Sequence, residues 1–460
     1  MSESNYVLAG FETILTYYLN FAVKNKQNNW ADQFTPAEFS KLLSTTCHGF
    51  LHSFGQNFTG KKKYGGYVEK EASLFRQCRN SGIFDNCNFI ADSGGFQASI
   101  GKINDHETET LIELYHEFLE YNHEVFDKAF ILDLPPGPGC KLFNNFEDVR
   151  QANSRTYNLA KNLPQEARDK VIYIHHFRTP KLWEIYTEIL NQPGMFDAFK
   201  QYGTGGIVAN MSGDSMPCII YILPLIPLLK KTIEANRKEL HFHILGGANY
   251  RDIFFYEIFQ KVVKEVHGID LTMSYDSSGP FKGLMRGRTM NLLHKGTNYK
   301  TDMRSAFIRQ RLHGEYRTID VVREKINEMS DKFNFKRIDM KELYCSELNT
   351  FPDFFRMYAV ILTLREYADV QMMLKEKAAK IYPLYQAGEL EEFASQSLLA
   401  TQSINSGKLT RKQTTKTNSL INSVKMLINL DEDHCKYIVN KYLAKDEFIE
   451  LDTKTRIMTF

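Results

Sequence analysis

The sequence predicts an α/β protein: a (β/α)8 TIM-type barrel with insertions, followed by a mostly helical C-terminal part. Three observations carry that expectation. Short β-rich runs at 87–92, 128–134, 171–177, 206–211, 240–245 and 271–276 recur between longer stretches. Two of those stretches, 107–126 and 252–266, have apolar residues at helical spacing, so strand, loop and helix repeat in that order. Each run also ends at a polar or glycine-rich turn, at Asp92, Asp133, His176, Asn210, Gly246 and Asp276. In a barrel these positions border one mouth, where such enzymes keep their chemistry. Six strands are explicit and up to two more are expected before residue 86 or in an irregular segment, which favours a closed eight-stranded barrel over an open doubly wound sheet.

The 460 residues, 43% of them hydrophobic, suffice for one large domain and a smaller companion. The barrel is assigned to 1–318 and the helical region, partly packed on the barrel, to 319–460, on helical patterns at 354–374, 419–428 and 431–442. The polar stretch 402–418 holds Lys408, Arg411, Lys412 and Lys416 with no acid and reads as a mobile surface segment. The most apolar run, 216–229, is shorter than the ~20 residues that cross a bilayer and contains Pro217, Pro224 and Pro227, so it reads as buried loop and helix start. No membrane association is expected. Seven scattered cysteines without a CxxC pair, and an N-terminus interrupted by Glu3 and Glu12, predict a cytoplasmic protein. The formal charge of +2 leaves any attraction to nucleic acid to local clusters of Lys and Arg.

The run Ala91-Asp92-Ser93-Gly94-Gly95-Phe96-Gln97 closes a strand with a carboxylate beside two glycines, which would let a planar ligand approach the backbone. Taken alone it is equally an ordinary turn. Further along stand Leu132-Asp133-Leu134-Pro135, Gly205-Gly206-Ile207-Val208, His243-Ile244-Leu245-Gly246-Gly247 and Ser274-Tyr275-Asp276-Ser277-Ser278. In this order and spacing the five segments resemble signatures of the tRNA-guanine transglycosylase superfamily, over residues 87–290 and more weakly near 345–371.

The resemblance implies a pentosyltransferase that replaces a guanine in nucleic acid with a 7-deazaguanine, using side chains alone and neither metal nor cofactor. Replacing a base with retention at C1′ requires two inversions, the logic of a retaining glycosidase. By the resemblance Asp276 is the nucleophile and Asp92 the group that manages protons. Asp133 would accept from the adjacent N1–H and N2–H donors of guanine. Ser93, Phe96, Gly205, Gly206, Leu245 and Gly246 would line the base pocket, with Phe96 and Leu245 sandwiching the ring; Phe96 could equally be core. Of the neighbours His175 and His176, His176 is the candidate ligand contact, where the family has glutamine. The alternation of His241 and His243 suits a plain strand.

Two departures bear on the substrate. The tRNA enzymes carry three clustered cysteines and a later histidine for structural zinc, whereas this chain has Cys345 alone there, with Val370 and Gln371 near the expected histidine. Ser277-Ser278-Gly279-Pro280-Phe281 replaces the bacterial segment after the nucleophile. Both departures favour the DNA-acting branch, found in bacteriophages and bacterial modification clusters, which installs bases such as preQ0; in a phage-encoded protein the compartment is the host cytoplasm. A zinc-less tRNA enzyme and a non-catalytic nucleic-acid-binding subunit are the alternatives, and a homodimer is conceivable as in relatives. Residues 282–317 hold nine Lys or Arg against Asp302 and Glu315. Among them Lys282, Arg286, Arg288, Arg304, Arg309 and Arg311 are the expected phosphate contacts, with Lys61 to Lys63 as a second cluster; a solvated face is the bland alternative.

Overall fold

The computed structural model describes residues 6–9, 37, 40–41, 43–44, 47–58, 64–136, 142–177, 179–206, 220, 222–247, 250–276, 290–294, 297–301, 353–405 and 411–442. A curled parallel sheet runs in sequence order through β2 (Gly49–Ser53), β3 (Asn88–Asp92), β4 (Lys128–Phe130), β5 (Val171–His176), β6 (Gln201–Gly205), β7 (Glu239–Ile244) and β8 (Asp270–Asp276). The short β1 (Tyr6–Ala9) pairs with both edges, placing Val7 beside Gly49 and Tyr6 beside Tyr275. All strands therefore point their C-terminal ends the same way, and Asp92, His176, Gly205 and Asp276 each end a strand.

Helices connect the strands: α1 (Tyr67–Asn80), α2 (Gly95–Ser99), α3 (Asp105–Tyr121), α4 (Phe146–Lys161), α5 (Pro180–Leu190), α6 (Leu225–Glu234) and α7 (Tyr250–His267). Their starts are written in the sequence. Asn104 and Glu107 form a reciprocal capping box on α3, Asn145 accepts from the Asp148 N–H on α4, and Thr179 caps α5 with Pro180 at the first helical position. Each helix buries one apolar stripe, as with Leu111, Ile112, Tyr115, Phe118 and Leu119 of α3. β5 is buried at all six positions, as expected for a parallel strand covered by helices outside and side chains inside.

Tyrosines tie the helices to the upper ends of the strands. Tyr115 of α3 donates to the Phe130 carbonyl at 2.7 Å, Tyr157 of α4 donates to the Ile174 carbonyl, and Tyr173 of β5 donates back to the Tyr186 carbonyl at 2.9 Å. A buried pair between His52 Nε2 and Glu71 Oε2, 2.7 Å apart, joins β2 to α1.

An antiparallel hairpin, β9 (Met290–His294) and β10 (Thr297–Thr301), precedes the helical remainder. That remainder comprises α8 (Asp353–Gln386), α9 (Leu390–Asn405), α10 (Arg411–Asn429) and α11 (Glu432–Tyr442). It meets the sheet's helices through Gln371 to Glu257 at 3.3 Å, Gln386 to Glu265 at 2.6 Å, His267 to the Leu427 carbonyl at 2.7 Å and Lys230 to Glu432 at 3.1 Å. No described helix is long and apolar enough to cross a membrane.

Several expectations shift. The strand expected at 206–211 lies at Gln201–Gly205, where it pairs with β5 and β7 and Tyr202 turns outward to the Phe196 and Phe199 carbonyls, while Gly206 turns at φ 81°. The strand expected over 128–134 ends at Phe130, and 131–136 runs on without ladder pairing. The helix expected over 107–126 starts two residues earlier and stops at Tyr121, where Asn122 closes it before a short 3-10 turn. The segment 402–418, expected as a mobile surface stretch, contributes residues 402–405 to α9 and 411–418 to α10.

Candidate functional site

At the upper ends of β3, β4 and β8 three carboxylates meet. Asp92 is the last residue of β3, Asp133 follows β4 by three residues, and Asp276 ends β8. The interior strands leave room for them: Gly203 on β6 lies so close to β7 that a Cβ would sit 2.8 Å from the His243 carbonyl oxygen, and Gly205 stands against the His176 ring, where a Cβ would meet Nε2 at 2.8 Å.

Burial, opposed by the Ser53 hydroxyl and the Gly94 N–H and reinforced by the negative charges of Asp133 and Asp276, pushes the Asp92 carboxyl up to about 6. A carboxyl in that range holds and releases a proton near neutrality, the property a general acid–base needs. The turn that follows is set by backbone contact. Gly94 has φ 87° and a Cβ there would stand 2.4 Å from Gly55 Cα; a Cβ on Gly95 would stand 1.9 Å from the Asp133 carbonyl oxygen. The paired glycines of the motif thus bring the β2, β3 and β4 ends into contact without an intervening side chain. Ser93 is buried, its Oγ accepting from the Gly95 N–H at 3.3 Å, so it shapes the turn. Phe96, at the start of α2, is 57% exposed and belongs to the surface, not the core.

Asp133 is held from behind. Asn153 of α4 accepts from the Leu134 N–H at 2.8 Å, donates to the Leu134 carbonyl at 3.0 Å, and takes the Tyr186 hydroxyl at 3.0 Å. In front, Asp133 Oδ2 faces His176 Nε2 at 3.1 Å, while Oδ1 has no partner among the described residues. His175 points the other way, to Thr187 Oγ1 at 3.1 Å and the Trp183 ring, with burial and the neighbouring His176 lowering it to about 3. Of the two histidines, His176 is the one at the mouth.

Asp276 is held by one oxygen. Its Oδ1 accepts from the Gly246 N–H at 2.9 Å, presented by the turn after β7 in which Gly246 has φ 76°, and faces His243 Nε2 at 3.3 Å. Oδ2 has no partner among the described residues. Leu245 is half-buried beside that turn and hydrogen-bonds through its N–H to the Thr204 carbonyl at 3.0 Å.

Sequence reasoning anticipated Asp92, Ser93, Asp133, His176, Gly205, Gly206, Leu245, Gly246 and Asp276 at this end, and the structure brings them there. It missed Ser53, which the register sets beside Asp92, and His243, which faces Asp276; His241 and His243 do lie on a plain strand, β7, from which His243 reaches the carboxylate. The signal available was two inward-facing histidines at period two on a strand aimed at the mouth. Asn210, Ile207 and Val208 lie outside the described residues, as do Ser277, Lys282, Arg286, Arg288, Arg304, Arg309, Arg311, Cys345 and the Lys61 to Lys63 cluster. Gln371 is buried on α8 and pairs with Glu257.

No family model, curated protein or solved structure matches the chain.

Proposed function

We propose that the sheet, closed by β1, is a TIM-type barrel and that the chain is a transglycosylase exchanging guanine in DNA for a 7-deazaguanine base of the preQ0 type. The observation that supports this best is the pairing of two unlike carboxyls at one mouth: Asp276, with one oxygen anchored by Gly246 and the other without a partner among the described residues, and Asp92, whose carboxyl is raised to about 6.

In the first half-reaction Asp276 Oδ2 attacks C1′, forming a C1′–O bond as the C1′–N9 bond breaks. The bonding pair leaves with guanine, and protonated Asp92 supplies the proton that the departing imidazole ring needs. In the second half the incoming base gives its N9 proton to the Asp92 carboxylate while that nitrogen attacks C1′ and the ester bond to Asp276 breaks. Two inversions give net retention, the proton on Asp92 is restored, and kinetics are ping-pong. Asp133 Oδ1 accepts from the N1–H and N2–H edge of the base while His176 fixes Oδ2. Phe96 at the rim offers its exposed face for stacking. The base leaves its helical stack to enter, at a cost of a few kcal/mol in duplex.

The test is incubation with preQ0 and either guanine-containing DNA or tRNA, followed by nuclease digestion and mass analysis of nucleosides. Modified deoxynucleoside is expected. Modified ribonucleoside would move the substrate to tRNA, and no exchange with either polymer would overturn the reading in favour of a binding subunit.

A further inference from the structure

Beneath the mouth a polar chain descends through the barrel interior. His243 Nε2 faces Asp276 Oδ1 at 3.3 Å, His243 Nδ1 faces Ser274 Oγ at 2.9 Å, and Ser274 Oγ faces His241 Nε2 at 2.9 Å. Lys128 Nζ stands 3.4 Å from the same His241 nitrogen. The register places these groups one above another: His243 is opposite Ser274, and His241 opposite Thr272 one layer down. His243 and Ser274 are fully enclosed, and the Phe130 ring covers the His243 imidazole at 4.9 Å between centroids.

Proton bookkeeping fixes the direction of this chain. A carboxylate oxygen opposite an imidazole nitrogen requires a hydrogen between them, so Nε2 of His243 carries it. A neutral ring has one N–H, which leaves Nδ1 as a lone pair that must accept the Ser274 hydroxyl proton. Ser274 then offers a lone pair toward His241, whose Nε2 is approached both by Ser274 Oγ and, at 3.4 Å, by the donor Lys128 Nζ. His241 Nδ1 has no hydrogen-bond partner among the described residues. Burial and the nearby Lys128 hold His241 well below the usual imidazole range, in the neutral form the chain needs.

We propose that His243 is a positioning residue for the nucleophile, its donor tautomer fixed from below by Ser274. Together with the Gly246 N–H it occupies Asp276 Oδ1 so that Oδ2 alone faces C1′, and it stabilises the negative charge that returns to the carboxylate when the glycosyl ester breaks. This rests on the reading of Asp276 as nucleophile.

Two arms test it on the full chain. Nitrogen-edited histidine spectra, with His243 assigned by its loss in His243→Gln, need no substrate: protonation at Nε2 is expected, with the His241 signal moved in Ser274→Ala. Protonation of His243 at Nδ1 overturns the proposal. In the second arm, exchange of preQ0 into a guanine-containing single-stranded oligodeoxynucleotide is measured. His243→Leu should lower kcat about tenfold or more with KM nearly unchanged, the loss expected for a donor to a charged group. His243→Gln, whose amide nitrogen reaches the Nε2 position, should recover most of it. Full activity in His243→Leu, or equal losses in both variants, overturns the proposal while leaving the transglycosylase reading intact. Undiminished exchange in Asp276→Asn would instead overturn that reading and the positioning role with it.

Discussion

The two ends of the barrel interior handle buried charge in opposite ways. At the mouth, Asp92, Asp133 and Asp276 sit among donors supplied by the backbone and by side chains: the Gly94 and Gly246 N–H groups, the Ser53 hydroxyl, and the rings of His176 and His243. At the lower end, His48, Lys128 and His241 repel one another, Asp127 attracts Lys128, and among the described residues His48 Nε2 and His241 Nδ1 lack partners. Burial and mutual repulsion lower His48 to about 4, and burial brings Lys128 down to about 8. Desolvation acts on both ends, but only the mouth supplies hydrogen bonds to the charged form. The lower end sheds charge; the upper end keeps it available for chemistry.

The sharpest way to break this comparison is Asp276→Asn. It should abolish the covalent sugar-enzyme species, seen by intact mass, and reduce exchange by about a thousandfold or more. Exchange at the wild-type rate would reduce the mouth to another buried polar cluster.

Asp92→Asn should lower exchange by roughly 10²–10⁴-fold while making the protein more stable at pH 8. Because the folded carboxyl titrates at about 6 instead of 3.8, the folded state binds more protons between those values, so this group's contribution to stability falls as pH rises through the window. The variant's advantage should reach about 2–3 kcal/mol above pH 6 and vanish below about pH 4, as read by denaturant titration at several pH values. An advantage independent of pH would show that desolvation of Asp92 is not its source.

Gly95→Ala forces a methyl against the Asp133 carbonyl, 1.9 Å away. A cost of about 1–3 kcal/mol is expected, with KM for the base rising more than kcat falls if Asp133 recognises the base as proposed; a loss confined to kcat would place Asp133 elsewhere in the reaction.

The smallest effect tests the lower end. Lys128→Met should stabilise the protein by about 2 kcal/mol at pH 7. The desolvation cost of the lysine is fully present below pH 8 and fades as pH rises to 10.5, so the gain should fade with it. A destabilised variant would show that the attraction of Asp127 for Lys128 outweighs the desolvation of the lysine.

What could be read in advance follows from where each signal lives. Asp92-Ser93-Gly94-Gly95 is legible because turn residues and a carboxylate stand together in one short run, and the helix caps at Asn104, Asn145 and Thr179 are equally local. The β6 position was misread because Ile207 and Val208 look more strand-like than Gly203, Thr204 and Gly205, of which the two glycines suit the crowded interior by having no side chain. His243 escaped for a different reason: its importance lies in what stands opposite on β8, a relation that no single segment contains. Ser53, separated from Asp92 by most of a helix, is invisible for the same reason, although the register sets the two residues side by side.

The contact between Gly55 and Gly94 has an evolutionary consequence. Two loops that touch backbone to backbone offer no side chain to exchange, so this part of the rim cannot be retuned by substitution without being moved bodily. On the proposed reading, descendants of this chain that take a different base would change side chains such as Asp133, His176 or Phe96. The β3 turn would pass through such a diversification as an invariant hinge around which new specificities are arranged.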